Sequence, residues 1–315
     1  MEGLLGTIFS TEFVYMWIRV AAPIVFPALG AAVCKKAGVV NLGLEGIMLC
    51  SALFGVVGSA VGGSVFWGFL AAVGVSILLS LVFAYFHLNL RADPVLCGTA
   101  INTFASGFTV FFLGLVTGDK GTSAALRSFS FPEISIPFIR DIPVVGEIVS
   151  GHNLLTYIAI VMVFAIHFLL YKTPLGLRIQ SAGENPHAAT SVGVNVIKIR
   201  YTAILLCGAL ASLGGMYLSM GYLNIFSRNM TAGRGFIALS ACAMGQGTPG
   251  GTFLASMVFA FFDGLSNILQ VMRIPTEFVQ MLPYLATIVG LTVYSVRKGR
   301  VGRRKVRSAG RQLQQ

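Results

Sequence analysis

Residues 66–88 read FWGFLAAVGVSILLSLVFAYFHL, twenty-three positions without one Asp, Glu, Lys, Arg or Pro. As an α-helix rising about 1.5 Å per residue, such a stretch crosses the roughly 30 Å hydrocarbon core of a bilayer. Working outward, segments 13–34, 94–116, 152–171, 199–222, 250–270 and 278–297 have the same character, and 46–63 is apolar but rich in glycine. A ninth segment, 235–247, has only about 13 residues and ends in Gly245-Gln-Gly-Thr-Pro-Gly-Gly251, which reads as a re-entrant or broken helix. The expected fold is all-α and polytopic, with about nine transmembrane helices, one of them short or broken.

Composition agrees with this reading and removes other classes. Of 315 residues, 56% are hydrophobic and 10% charged, against about 25% charged in an ordinary soluble domain. That excludes a conventional cytosolic enzyme. The net charge is +11, but eight of the 22 basic residues lie between Arg297 and Arg311, and the rest of the chain carries an excess of only +3. A basic excess gathered at one end orients a protein in the membrane; it does not describe a nucleic-acid surface. Lipid is therefore an expected partner, and nucleic acid is not. The cysteines Cys34, Cys50, Cys97, Cys207 and Cys242 stand singly in apolar stretches and read as small buried hydrophobes, with no metal or disulfide framework. The opening residues Met1 to Glu12 lack a basic n-region, so a cleaved signal peptide is not expected.

Orientation follows from Lys and Arg, because short loops rich in them stay cytoplasmic. The tail from Arg297 is an inside marker, leaving 1–297 as a single permease-like membrane domain and 298–315 as a basic cytoplasmic tail. The connection 172–198, with Lys172, Arg178 and Lys198 and then Arg200 against one acid, Glu184, also belongs inside. The longer connection 117–150 balances Lys120, Arg127 and Arg140 with Asp119, Glu133, Asp141 and Glu147, and suits the outer face. Two inside points need an even number of crossings between them, so 235–247 must cross. The resulting count is nine, with the N-terminus out and the C-terminus in, and Lys35 and Lys36 inside.

The chain carries no G-x-x-x-x-G-K-[ST] loop, no G-x-S-x-G and no H-E-x-x-H, so it is not expected to bind ATP or catalyse a reaction, and no cofactor is expected. The histidines His87, His152, His167 and His187 lie at membrane edges or far apart. Ionisable groups within spans reduce to Glu45 and Asp263, the two residues an ion-coupled secondary transporter would have to use. In the inside connection, Asn185 before Pro186 reads as an N-cap with proline in the first helical position, and Gly193 as the end of a short helix running from His187 to Val192.

Three motifs resemble those of bacterial ABC-importer permeases of the family serving branched-chain amino acids, ribose-type sugars and nucleosides. They are Gly38-Val-Val-Asn41-Leu-Gly43-Leu-Glu45-Gly46, then Gly183-Glu-Asn-Pro-His-Ala-Ala189 with Gly193-Val-Asn195-Val, and Gly235-Phe-Ile-Ala238 with Gly245-Gln-Gly-Thr-Pro249-Gly-Gly251. The likeness runs from about residue 15 to 297 and most resembles the shorter nucleoside permease subunit. The resemblance implies that ATP is hydrolysed by a separate ATPase subunit, contacted through a coupling helix at Gly183, Glu184, Asn185, Pro186, His187, Ala188, Ala189 and Gly193. It also implies a second, unlike permease chain, an extracytoplasmic solute-binding protein docked on the outer loops, and a multi-pass location in the bacterial cytoplasmic membrane. The solute order is nucleoside first, ribose-like sugar second, branched-chain amino acid third.

Polar residues that interrupt the spans are the expected wall of the pathway: Asn41, Glu45, Thr99, Asn102, Thr103, Asp263, Asn267 and Gln270. Thr99, Asn102 and Ser106 share a helical face by spacing, as do Asp263, Asn267 and Gln270. Phe104, Phe108 and Phe262 offer ring faces. The competing reading is that these polar groups bond between helices.

Overall fold

A computed structural model describes residues 10–134 and 145–271, together with residues 285, 288, 289 and 292. Eleven helices are described: α1 (Thr11–Lys36), α2 (Leu44–Gly62), α3 (Val65–Ala84), α4 (Pro94–Thr117), α5 (Val145–Val149), α6 (Leu154–Lys172), α7 (Pro174–Glu184), α8 (Pro186–Ser191), α9 (Val196–Met216), α10 (Arg234–Met244) and α11 (Pro249–Val271). Short π-helical turns, Tyr85–Asn89 and Tyr217–Tyr222, extend α3 and α9. Among the described residues seven helices are long and apolar enough to cross a membrane, and α10 is a shorter apolar helix. The chain is thus all-helical and multi-pass. Of the expected span 278–297, the four described residues are helical. The expected tail 298–315, the start of the chain and residues 135–144 of the loop 117–150 lie outside the described residues.

Helix starts follow the local chemistry of their caps. Ser10, Asp93, Asn153 and Asn195 each accept a backbone N–H of the first turn they precede, supplying a partner that the helix itself lacks there. Asp93 and Thr173 are followed by proline at the first helical position, where a missing N–H costs nothing.

Helix α1 is the axis of the bundle: 83% of its apolar window is buried, against 22% for α4. It stays helical through Pro23 and Pro27, and α9 crosses it closely there. A Cβ on Gly214 would stand 2.9 Å from Pro27 Cδ, and one on Gly30 would stand 2.8 Å from the Cys207 carbonyl. Backbones meet through the space that glycine leaves, as is common between membrane helices. Four of the five cysteines are buried in this packing and all are free. The Gly58-x-x-x-Gly62 spacing is a packing feature too, since a Cβ on Gly58 would meet the Ala71 methyl at 2.6 Å.

Bonds between distant segments define the two ends of the bundle. At one end the Arg200 Nε donates to the Ala37 carbonyl at 3.3 Å, Tyr201 bonds Asn89 at 2.8 Å, and Gly38 lies beside Gly183. Lys35, Lys36 and Arg200 therefore share an end with α7 and α8. At the other end Ser123 and Phe226 exchange bonds at 2.9 and 2.8 Å, Arg228 N donates to the Gly121 carbonyl at 2.8 Å, and Phe131 N to the Met220 carbonyl at 3.0 Å. The chain from Arg228 to Gly247 runs between these ends, first as turns and then as α10, whose Cys242 carbonyl accepts from Lys35 Nζ at 3.4 Å. The short apolar segment is thus a half-helix preceded by irregular chain, and the two together run from one end of the bundle to the other.

Candidate functional site

Two regions carry the expected functional residues. The first is the connection from Lys172 to Val196, in which the structure places two helices where the sequence analysis expects one. Thr173 Oγ1 accepts from Gly176 N at 3.1 Å and starts α7, which lies against the bundle through Gly176, Ile179 and Ala182. Asn185 then ends α7 and starts α8, its Oδ1 accepting from Ala188 N at 3.0 Å. Gly193 closes α8 at φ 84°, with its N–H on the Thr190 carbonyl at 3.0 Å, and Asn195 Oδ1 accepts from Lys198 N to start α9. A left-handed residue just beyond the last turn favours glycine because a Cβ is strained there.

The eight residues expected to contact an ATPase divide by exposure. Glu184, Asn185, His187, Ala188 and Gly193 are exposed, and Gly183 and Pro186 are half-buried. Ala189 is 3% exposed and anchors α8 to the body. Gly183 packs on the turn after α1, where a Cβ would collide with the Lys36 carbonyl. Val192, 79% exposed, adds an apolar tip that the sequence analysis does not name.

The second region is the expected pathway, and here the structure separates the residues. Asn41 is buried and turns its Oδ1 to Gly43 N at 3.0 Å, shaping the loop into α2. Asn102 accepts from Gly46 N at 2.8 Å and donates to the Leu42 carbonyl at 2.9 Å, riveting α4 to the start of α2. Glu45 receives Gly233 N at 2.8 Å and Gly235 N at 2.7 Å and so caps α10. Asp263 pairs with Arg234 Nη2 at 3.0 Å. Asn102, Glu45 and Asp263 bond between elements, as the competing reading of the sequence expects, and Asn41 does so through its Nδ2 to Cys207 Sγ at 3.9 Å.

Asn102 also leaves the face assigned to it. At about 100° per residue it sits some 60° around α4 from Thr99, enough to turn it to α2 while Thr99, Thr103 and Ser106 stay exposed. Those three hydroxyls donate to carbonyls of their own helix, for example Thr103 to Thr99 at 2.9 Å. Phe104 and Phe108 stack with centroids 5.1 Å apart, continuing a row to Phe112. Asn267 is half-buried on α11, and the side chain of Gln270 lies outside the described residues.

Arg234 and Arg19, two ionisable residues with bonds between distant segments of the bundle, are not among the residues expected from the sequence. Arg234 falls one position before the segment 235–247 and so reads as loop. Arg19 lies within the first span and donates to the Tyr222 carbonyl at 3.1 Å, with its guanidinium 4.4 Å over the Tyr222 ring.

Residues 13–291 match the model of the family described as branched-chain amino acid transport system / permease component. The guanosine ABC transporter permease protein NupQ of Bacillus subtilis is 38% identical over 86% of this chain and 88% of its own. The nucleoside ABC transporter permease protein NupC of Lactococcus lactis is 34% identical over 87% and 89%. Among solved structures, PsaBC from Streptococcus pneumoniae in complex with Fab superposes with a TM-score of 0.54 at 12% identity, covering 92% of this chain and 94% of that one; this is a likeness of fold. With the family matched across nearly all its length, the chain belongs to the branched-chain amino acid transport system permease components and is a non-catalytic, multi-pass membrane subunit of an ABC transporter.

Proposed function

We propose that the chain forms one membrane half of an ATP-driven nucleoside importer in a bacterial cytoplasmic membrane. The observation that carries this is α8: an exposed helix capped at both ends, standing at the end of the bundle that also holds Lys35, Lys36 and Arg200. A short rigid helix transmits force as a body, which is what a separate ATPase requires. In this reading Glu184, Asn185, Pro186, His187 and Ala188 touch the ATPase, while Gly183, Ala189 and Gly193 hold the helix in place. The α8 end is cytoplasmic with the tail 298–315, the chain crosses nine times from an outside N-terminus, and 1–297 is one permease domain. A binding protein docks at the opposite end, on the loop 117–150, and a second, unlike permease chain faces the exposed stripe of Thr99 and Thr103. Nucleoside as solute is supported by the names of the relatives NupQ and NupC.

Ion coupling is disfavoured by geometry. Both carboxylates it would use are engaged, Glu45 by two amides and Asp263 by Arg234.

The test is co-purification and uptake. A separate ATPase should come with this chain, and a Gly/Ser linker in place of Glu184 through Ala189 should release it. Cells with the gene should take up labelled nucleosides, and cells without it should not. An ATPase that stays bound and active on the linker variant removes the coupling role; loss of sugar uptake alone removes the nucleoside.

A further inference from the structure

A cleft of about 430 Å³ lies between the middle of α4 and the irregular chain that precedes α10, lined by Leu49, Ser106, Gly107, Val110, Arg228 and Asn229. Its volume falls in the roughly 300–1,000 Å³ range of small-ligand sites. Ser106 is twelve residues along the 24-residue α4, so the cleft stands about halfway through the bundle, and the exposed hydroxyls of Thr103 and Thr99 lead from it toward the α8 end.

The two polar side chains on its roof are unspent. Among the described residues Arg228 has a bond only through its backbone, to Gly121 at 2.8 Å, and its guanidinium has no ion pair. The carboxylates of Glu45, Asp119 and Asp263 are occupied by Gly233 and Gly235, by Gly121 and Thr122, and by Arg234. The segment that presents Arg228 and Asn229 is held in an uncommon shape: Asn224, Asn229 and Ala232 have φ of 58°, 55° and 45°. Non-glycine residues persist there only when surroundings impose it. The surroundings are the exchange between Ser123 and Phe226, the Arg228 bond to Gly121, and Ser128 Oγ on the Asn224 carbonyl at 2.9 Å.

We infer that this cleft is a solute subsite within the pathway, in which Arg228 and Asn229 read the polar edge of a purine base held between Leu49 and Val110. The inference rests on the nucleoside reading and deepens it. A guanidinium fork donates to two neighbouring acceptors, and a 6-oxopurine offers them as its carbonyl oxygen and ring nitrogen. Asn229, which both donates and accepts, suits an edge of mixed character better than a bare anion. Apolar walls fit the faces of a flat ring. Gly107 leaves the space open: a Cβ there has no neighbour within 4 Å, so a larger side chain at this position enters the cleft and not the packing of the fold.

The experiment uses the complete importer, with its ATPase, partner permease and binding protein, in proteoliposomes, with inosine, adenosine and uridine as probes. Arg228→Gln should lower kcat/KM for inosine about tenfold and for adenosine and uridine less. Gly107→Leu should lower uptake of all three, and both variants should still assemble and co-purify with the ATPase as the unmodified chain does. If the unmodified importer takes up none of the three, the nucleoside reading itself falls and this inference with it. If it takes them up and both variants match it on inosine, the subsite alone is overturned. It is equally overturned if Arg228→Gln acts by weakening the affinity for the binding protein, because Arg228 then belongs to a docking surface.

Discussion

The carboxylate of Glu45 stands 2.7 Å from the backbone nitrogen of Gly235 and joins two segments 190 residues apart in sequence. It also accepts from Gly233 N at 2.8 Å, so one acidic side chain at the start of α2 supplies the N-terminal cap that α10 lacks in its own sequence. An anion at a helix N-terminus is favoured by the aligned peptide dipoles, and more so where water is scarce. Glu45→Ala should cost about 2–3 kcal/mol, the scale of charge-assisted hydrogen bonds left unmade, and Glu45→Gln less, since an amide oxygen still accepts. Gly235→Ala should cost at least as much by a steric route, because its Cβ would lie 2.6 Å from Glu45 N. Melting of the purified protein in detergent measures all three; an unchanged midpoint for Glu45→Ala contradicts the capping role.

Arg234, the next residue of the same turn, makes a second link, to Asp263 at 3.0 Å with both side chains mostly buried. Among the described residues its Nε has no partner and its Nη1 makes only long bonds to the Met230 and Thr231 carbonyls, at 3.4 and 3.5 Å, so the guanidinium is held mainly by this carboxylate. Removing one member of such a pair strands a charge at a typical cost of about 3–5 kcal/mol, whereas replacing both by apolar residues of similar volume is often neutral. Asp263→Asn and Arg234→Gln should each destabilise strongly, and the double variant Arg234→Met with Asp263→Leu should recover most of the loss. A double-mutant cycle reads the coupling; additive losses show that the pair does not hold α10 to α11.

These links explain which parts of the site the sequence discloses. A span is a local property, and about twenty apolar residues announce it wherever they fall. The cap at Asn185-Pro186 is local too, and α8 is legible for that reason. Thr173-Pro174 carries the same signature, and α7 behind it was available to the same logic, but its alternation is short and it lies in a polar connection. Glu45 and Asp263 stand out in sequence only as charges in apolar surroundings, which suits a pathway as well as a structural bond. Their partners, Gly235 and Arg234, are reached only through the fold. Thr99, Thr103 and Ser106 remain on an exposed face because their hydroxyls are satisfied by their own helix, a local bond that leaves the face free for whatever lies opposite.

The α8 knob yields a prediction that separates its fold from its contact. Asn185→Ala removes the bond to Ala188 N, worth about 1 kcal/mol at a typical N-cap, and Gly193→Ala strains a residue at φ 84°. Both should speed hydrogen exchange of residues 186–192 while leaving α9 protected. His187→Ala, an exposed position whose side chain makes no bond among the described residues, should leave exchange unchanged and lower affinity for the ATPase severalfold. Equal ATPase affinity in all three variants excludes α8 as the contact.

At the end of the bundle opposite α8, His152 ties the segments around Ile134 and Ile148 to the start of α6 and gives the protein a defined acid sensitivity. The imidazole is 2% exposed, stacks on Tyr15 with centroids 4.1 Å apart, and directs Nε2 at the Ile148 carbonyl at 2.8 Å. That bond assigns the proton to Nε2 and leaves Nδ1 buried with no partner among the described residues. Burial pushes the pKa below the usual histidine value; the Ile148 carbonyl opposes this, and the nearby Arg19 charge adds to the lowering. A group whose folded pKa is depressed contributes stability that is fully present above its unfolded pKa of about 6.5 and is lost as pH falls through the folded value. The bonds at stake are Ile134 N to the His152 carbonyl and Gly151 N to the Ile134 carbonyl, at 3.0 and 3.1 Å. Between pH 7.5 and 5.5, hydrogen exchange at Ile134 and Gly151, corrected for its intrinsic rate, should accelerate, while α1 and α9 stay protected. His152→Asn should make exchange at these sites independent of pH. Acceleration that persists in this variant assigns the sensitivity to another group, and none in the unmodified protein means the imidazole stays neutral across the range.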